Sequence, residues 1–148
     1  MVAGDVQIVS LRTREHEVAV AVLLGVAQIH RTSADARARG PGIAATYARD
    51  DRLQLWGAEE GGALVGIAGV EPLSELLELH DLAVDPARQR EGIGRALIAF
   101  LRAEYDGSAI VGATLAQAAG FYDRAGFELA EDGTMASGEA RLRFTLAT

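Results

Sequence analysis

Leu82-Ala-Val-Asp-Pro-Ala-Arg-Gln-Arg-Glu-Gly-Ile-Gly-Arg-Ala-Leu-Ile98 is the stretch that decides the fold. A strand-like run ends at Asp85-Pro86. Arg88, Arg90 and Arg95 follow, interleaved with Gly92 and Gly94. Apolar residues at helical spacing then begin, at Ile93, Leu97, Ile98 and Leu101. Strand, Gly-containing turn and helix start, in that order, make an anion site. Free backbone N–H groups converge at a helix N-terminus, and the helix dipole favours negative charge there. Glycine lets the chain turn tightly and lets a phosphate approach the backbone. The segment therefore reads as a phosphate or pyrophosphate cradle.

Composition narrows what such a cradle can serve. The chain has 148 residues, 49% of them hydrophobic, which suits one domain spanning 1–148 with a substantial core. All 14 basic residues are Arg, so a Walker A loop, which needs Lys, is excluded. The dinucleotide fingerprint needs a third Gly after Gly92 and Gly94, and Leu97 stands in its place. No Cys is present, which excludes disulfides, thiolate metal sites and a Cys nucleophile. The formal charge of −7 argues against a general nucleic-acid binder and favours cationic partners such as amines. Arg88, Arg90 and Arg95 stand out from that acidic background as a local positive patch. The N-terminus lacks a basic-then-apolar leader, and the run Val18–Ala27 is too short to span a bilayer. A soluble cytoplasmic protein without a membrane partner is expected.

The remaining chain divides into short elements. Val6–Ser10 reads as a strand. Thr13 is expected to cap a helix with Glu15 and Glu17 in its first turn and an apolar run from Val18 to Ile29. Gly40-Pro41-Gly42 is expected to break the chain before a short helix, Ile43–Arg49. Leu53–Ala58 and Ala63–Val70 read as strands around Glu59–Gly62, and Leu76–Val84 as a third. A helix Ile93–Tyr105, a strand Ser108–Ala113 and a helix Leu115–Arg124 come next. Phe127–Ala130 and Ala140–Leu146 form a closing hairpin over the link Glu131–Glu139. This order predicts an α/β fold, with a central, mostly antiparallel sheet and one parallel crossover through the Ile93 helix.

One strand slips phase. Leu77 and Leu79 are apolar at odd positions, Leu82 and Val84 at even ones. A regular strand alternates with period 2, so one inserted residue near His80-Asp81 would restore a single apolar face. That predicts a β-bulge, a device common beside active sites. A strand buried on both faces is the alternative.

The pattern Gln89-Arg-Glu-Gly-Ile-Gly94 after Leu-Ala-Val-Asp-Pro resembles the coenzyme A pyrophosphate loop of the GNAT-type N-acetyltransferase superfamily. Ala118-Ala-Gly-Phe-Tyr-Asp-Arg-Ala-Gly-Phe127 is similar to a second motif of that family, and the element order is also that of its fold. The resemblance implies the GNAT fold, its sheet flanked by helices and splayed at the bulge. It implies acetyl-CoA as cosubstrate, bound without a metal. The backbone from Gln89 to Arg95 (Gln89, Arg90, Glu91, Gly92, Ile93, Gly94 and Arg95) would hold the pyrophosphate. Leu82, Ala83 and Val84 would pair with the pantetheine arm, and the N–H near Leu82 would polarise the thioester carbonyl. Tyr122 would act as general acid to the departing thiolate. Many relatives carry Asn seven residues before this Tyr. Here that position is Leu115, and the chain has no Asn at all.

An ammonium acceptor must lose a proton before attack, so a base is needed. Glu78 matches a Glu that some relatives use on this strand. His80 and a water chain remain alternatives. His16 and His30, on the first helix, lack metal-ligand spacing and read as surface or helix-end residues. The implied activity is transfer of an acetyl group to a primary amine on a small molecule or peptide. A non-catalytic acyl-CoA-binding module is the alternative, and a homodimer through edge strands is compatible with either.

Overall fold

The computed structural model describes residues 5–28 and 33–148. In chain order the elements are β1 (Gln7–Ser10), α1 (Val18–Val26), α2 (Ser33–Arg49), β2 (Gln54–Glu60), β3 (Ala63–Pro72), β4 (Leu76–Val84), α3 (Ile93–Glu104), β5 (Ala109–Leu115), α4 (Ala119–Arg124), β6 (Glu128–Thr134) and β7 (Ala140–Leu146). Short 3-10 turns at Pro86–Arg88 and Ala116–Ala118 precede α3 and α4. The strands form one seven-stranded sheet in the order β1-β2-β3-β4-β5-β7-β6. Every neighbouring pair is antiparallel except β4–β5, which is parallel and joined through α3. This is the mixed, mostly antiparallel α/β sheet that the sequence predicts.

The bulge lies where the phase slip puts it. Gly69 pairs with Asp81 and Val70 with Leu79, so His80 is the extra residue. Either side of it, Leu77, Leu79, Leu82 and Val84 join one hydrophobic cluster, with Leu97 and Leu101 of α3, Tyr122 and Phe144. Ala83 joins the opposite cluster, with Val20 and Leu24 of α1, Tyr47 of α2 and Ile67. The sheet thus carries α3 and α4 on one face and α1 and α2 on the other.

The helical layer of α1 and α2 departs from expectation. Thr13 does not cap α1: it sits in a turn with φ 71°, and the N-cap is Glu17, whose side chain makes no capping bond. Glu15 and Glu17 therefore precede the helix instead of lining its first turn. Gly40-Pro41-Gly42 does not break the chain either, because α2 runs through it from Ser33 to Arg49. Packing explains this. A Cβ at Gly40 would lie 2.0 Å from the Ala21 carbonyl oxygen of α1, so glycine is what lets the two helices approach. That contact outweighs the hydrogen bond a helical proline forfeits. The expectations for Ile29 and His30 fall outside the described residues. His16 is exposed in the turn before α1.

Three boundaries also shift. The β2–β3 turn tightens to Gly61-Gly62, both at positive φ (58° and 82°), as a two-residue hairpin of right-handed twist requires. β5 extends to Leu115, so the segment expected to start a helix there finishes a strand. β6 reaches Thr134, which shortens the closing link.

Candidate active site

Parallel pairing between β4 and β5 covers only Leu76–Glu78 against Ala109–Val111. Beyond Glu78 the strands part. β4 stays paired with β3 through Val84, while β5 pairs onward with β7. Among the described residues, the edge of β4 that faced β5 therefore has no strand partner from Leu79 to Val84. Gly112 sits in the fork: a Cβ there would lie 2.8 Å from the Leu79 carbonyl oxygen and 2.3 Å from the Phe144 ring. The gap opens into a cavity of about 290 Å³. Leu79–Leu82 form one wall and Ala113–Leu115 the other. Gln28 borders it from the α1 side, and Ala118 and Tyr122 from the α4 side.

The loop from β4 to α3 is built to leave its amides free. Asp85 accepts from the Ala87 N–H at 3.0 Å and starts the 3-10 turn. Arg90 (φ 68°) and Gly92 (φ 86°) then both adopt left-handed conformations. Successive N–H groups in such a turn line a concavity that attracts anions. The first helical bond of α3 runs from Ala96 N–H to the Gly92 carbonyl. Among the described residues, no acceptor meets the amides from Gln89 to Arg95. The two glycines do different work. Space around a Cβ at Gly92 is open, so its backbone angle is what calls for glycine. At Gly94 a Cβ would lie 2.9 Å from the Phe121 ring, so this glycine lets α3 approach α4.

The three arginines also separate. Arg88 is held by Glu91 (2.8 Å) and Glu60 (2.7 Å), which raise its pKa further above its usual value. Arg95 donates to the Arg124 carbonyl at 2.6 Å. Arg90 is exposed and has no ion-pair partner among the described residues, which leaves its charge available to a ligand.

Tyr122, on α4, is 9% exposed. It stacks on Phe144 at 4.0 Å with ring planes 8° apart and meets Phe121 and Phe127 edge-on. Three aromatic rings thus fix the phenol. Burial, reinforced by the nearby Asp81 charge, pushes its pKa well above the ordinary tyrosine value. The hydroxyl makes no hydrogen bond to the described residues, although Tyr122 lines the cavity. Thr114, 8% exposed, lines it too, also without a side-chain partner among the described residues. Leu115 is buried at the cavity wall, so its position offers no polar group.

Glu78 is not brought into the cavity. It pairs across the sheet with Glu71, and Glu71 Oε1 lies 3.1 Å from His80 Nε2. One ligating atom from each of Glu71, Glu78 and His80 falls within 4.8 Å of the others. Only His80 of the three lines the cavity. The carboxylate that does line it is Asp81, which sequence reasoning passed over. Its Oδ2 accepts from the Tyr47 hydroxyl at 2.7 Å and its Oδ1 from Gln28 Nε2 at 3.0 Å. Burial raises its pKa, and those two hydrogen bonds pull it partway back. The signal was the phase slip: once Leu82 and Val84 return to the α3 face, Asp81 must turn under α1 and α2.

Comparison with known proteins agrees with this architecture. The family model described as an acetyltransferase (GNAT) domain matches residues 51–129. N-alpha-acetyltransferase RimI of Mycobacterium tuberculosis is 48% identical over 46 residues, covering 28% of this chain and 29% of that protein. The matching stretch thus spans less than a third of that relative. A solved structure of a GNAT-family acetyltransferase from Desulfovibrio desulfuricans superposes with a TM-score of 0.74 at 22% identity, over 96% of this chain and 98% of that one. The PaiA N-acetyltransferase of Thermoplasma acidophilum, solved with coenzyme A, has a TM-score of 0.69 at 14% identity, over 93% and 97% of the two chains. At such identities the likeness establishes the fold. Several of the similar structures hold coenzyme A or acetyl-CoA.

Proposed function

Because this chain belongs to the GNAT acetyltransferase family, we propose that it transfers the acetyl group of acetyl-CoA directly to a primary amine. The observation that carries this reading is the gap between β4 and β5, with the unbonded hydroxyl side chain of Tyr122 beside it. A pantetheine arm is an extended chain with amide groups. The unpaired edge of β4 at Leu82, Ala83 and Val84 offers it backbone partners. The pyrophosphate would lie on the amides from Gln89 to Arg95, with Arg90 adding charge.

In this reading the N–H near Leu82 polarises the thioester carbonyl. The amine nitrogen attacks the carbonyl carbon and the C–S bond breaks. The Tyr122 hydroxyl gives its proton to the leaving sulfur. A phenol whose pKa is raised by burial stays protonated until that charge develops. The proton lost by the ammonium leaves through His80, which lines the cavity, toward Glu71 and Glu78. Glu78 is thus the proton's destination in this proposal rather than a group that touches the acceptor. The acceptor is an amine on a small molecule or a peptide. No described helix is long and apolar enough to cross a membrane. A cytoplasmic location, where an acetyl-CoA consumer meets its donor, completes the proposal, with a homodimer through β1 or β6, the sheet's edge strands.

The test is acetyl-CoA-dependent thiol release against a panel of amines, amino acids and peptides. The chain suits it, since without Cys it contributes no thiol and without Lys it offers no side-chain amine. Release with one acceptor class is the expected outcome. Tight coenzyme A binding with no release from any acceptor would turn the reading into that of a binding module.

A further inference from the structure

We propose that Asp81 is the group that binds the acceptor's ammonium, so that this chain selects its acceptor as a cation. This rests on the acetyl-transfer reading and deepens it.

The cavity passes through the sheet, and its two ends differ. Tyr122 approaches from the α4 side, with the aromatic cluster behind it. Asp81 approaches from the α1/α2 side, held by Gln28 and Tyr47. Donor binding takes up the α3/α4 side, which leaves the Asp81 side to the acceptor. Asp81 is the only carboxylate among the described residues that line the cavity.

Its environment is that of a charge awaiting a partner. Both hydrogen-bond donors are neutral, so they fix the plane of the carboxylate without neutralising it. No Arg pairs with it among the described residues. Arg141 also lines the cavity, but its side chain is 48% exposed and leans toward Asp132 at 3.7 Å. A half-buried carboxylate without a cation is unfavourable until one arrives. An ammonium supplies the missing charge and three N–H donors for the free lone pairs.

The fold also makes room for this arrangement. Gly69 lies directly across from Asp81 on β3. A Cβ at Gly69 would stand 1.9 Å from the Tyr47 hydroxyl oxygen. Glycine in a central strand forfeits packing and loses more entropy on folding. Here it admits the ring whose hydroxyl orients Asp81. The volume, about 290 Å³ before any donor enters, suits the terminus of a slender amine better than a bulky secondary amine.

The experiment compares benzylamine with benzyl alcohol, two ligands of nearly one shape, by calorimetric titration at saturating coenzyme A. Wild type is expected to favour the amine by about tenfold or more, the size of one charge-assisted hydrogen bond. Asp81→Asn is expected to bind both ligands alike, with coenzyme A affinity unchanged. Tyr47→Phe breaks the same network but keeps the charge, and is expected to retain the preference. A wild type without preference, or an Asn variant that keeps it, overturns the proposal. Loss in Tyr47→Phe equal to that in Asp81→Asn assigns Asp81 a structural role and also overturns it. Should the Asn variant not fold, Asp81→Ser replaces it with the same expected result. Thiol release by wild type judges the acetyl-transfer reading separately. If coenzyme A does not bind at all, that reading falls, and the amine preference is measured on the free chain.

Discussion

On the α3/α4 side of the sheet the groups of the β4–α3 loop sit close together in sequence: Arg90, Gly92 and the first turn of α3 follow one another. On the α1/α2 side Asp81 takes its hydrogen bonds from Tyr47 and Gln28, 34 and 53 residues away. The first is a backbone device, in which φ angles of 68° and 86° leave amides unpaired, and in the proposed reading these receive the pyrophosphate. The second is a side-chain device assembled by helix packing. A backbone device leaves a local pattern that any chain using it must repeat. A packed side-chain device leaves only scattered residues whose meaning depends on the fold. The same fold can therefore keep its donor chemistry while its acceptor chemistry is rebuilt.

The largest effect expected from breaking this comparison is at Gly92. Gly92→Asp should weaken coenzyme A binding by about a hundredfold or more, because a carboxylate would face the pyrophosphate. Gly92→Asn should keep most of the affinity, since Asn tolerates the left-handed region as Asp does but carries no charge. Equal losses in the two variants would make strain, not charge, the cause.

Tyr122→Phe comes next. It should lower kcat by about a hundredfold, the lower range for general acid catalysis, with little change in acetyl-CoA affinity. The aromatic stack with Phe144 survives this change, so thermal stability should hold. An unaltered rate would give the acid's role to another donor.

Two glycines in α2 test the helical side through stability. Gly40→Ala should destabilise by about 1–3 kcal/mol, because the new methyl meets the Ala21 carbonyl and overpacks the α1–α2 contact. Gly42→Ala meets nothing within 4 Å and should stabilise by about 1 kcal/mol through helix propensity. Urea unfolding of both variants checks the sign of each. Two values of one sign would mean that the α1–α2 approach is not what holds Gly40.

The smallest effect is the pH dependence of Asp81. Burial raises its folded pKa above the unfolded value of about 3.9. The folded chain therefore binds more protons than the unfolded chain within that window, and this group's contribution falls as pH rises through it. Asp81→Asn should be at least as stable as wild type at neutral pH. The difference should close below the unfolded pKa, where both states are protonated. A variant much less stable at neutral pH would place Asp81 among the residues that hold the fold.

The sequence resolves the two sides unequally for a physical reason. The bulge at His80 was legible because period-2 alternation cannot change parity without an inserted residue. The loop was legible because Gly92 answers to its own φ angle. Gly94 was legible only as part of the pattern, since its cause is the Phe121 ring, 27 positions along the chain. Gly40-Pro41-Gly42 misled because local propensity argues for a break, whereas the contact between Gly40 and Ala21 decides for a helix. Thr13 misled in the same way, as an adequate cap in a turn that ends before the helix starts. Asp81 needed one more step from the bulge: asking what lies under the face to which it is turned.

The most direct test is the crystal structure of the chain with acetyl-CoA. The account predicts the pyrophosphate on the amides of Gln89–Arg95 and the pantetheine along Leu82–Val84. It places the thioester sulfur near the Tyr122 hydroxyl and the acetyl carbonyl near the Leu82 N–H. A cofactor bound elsewhere, or a gap closed by continued β4–β5 pairing, would contradict it.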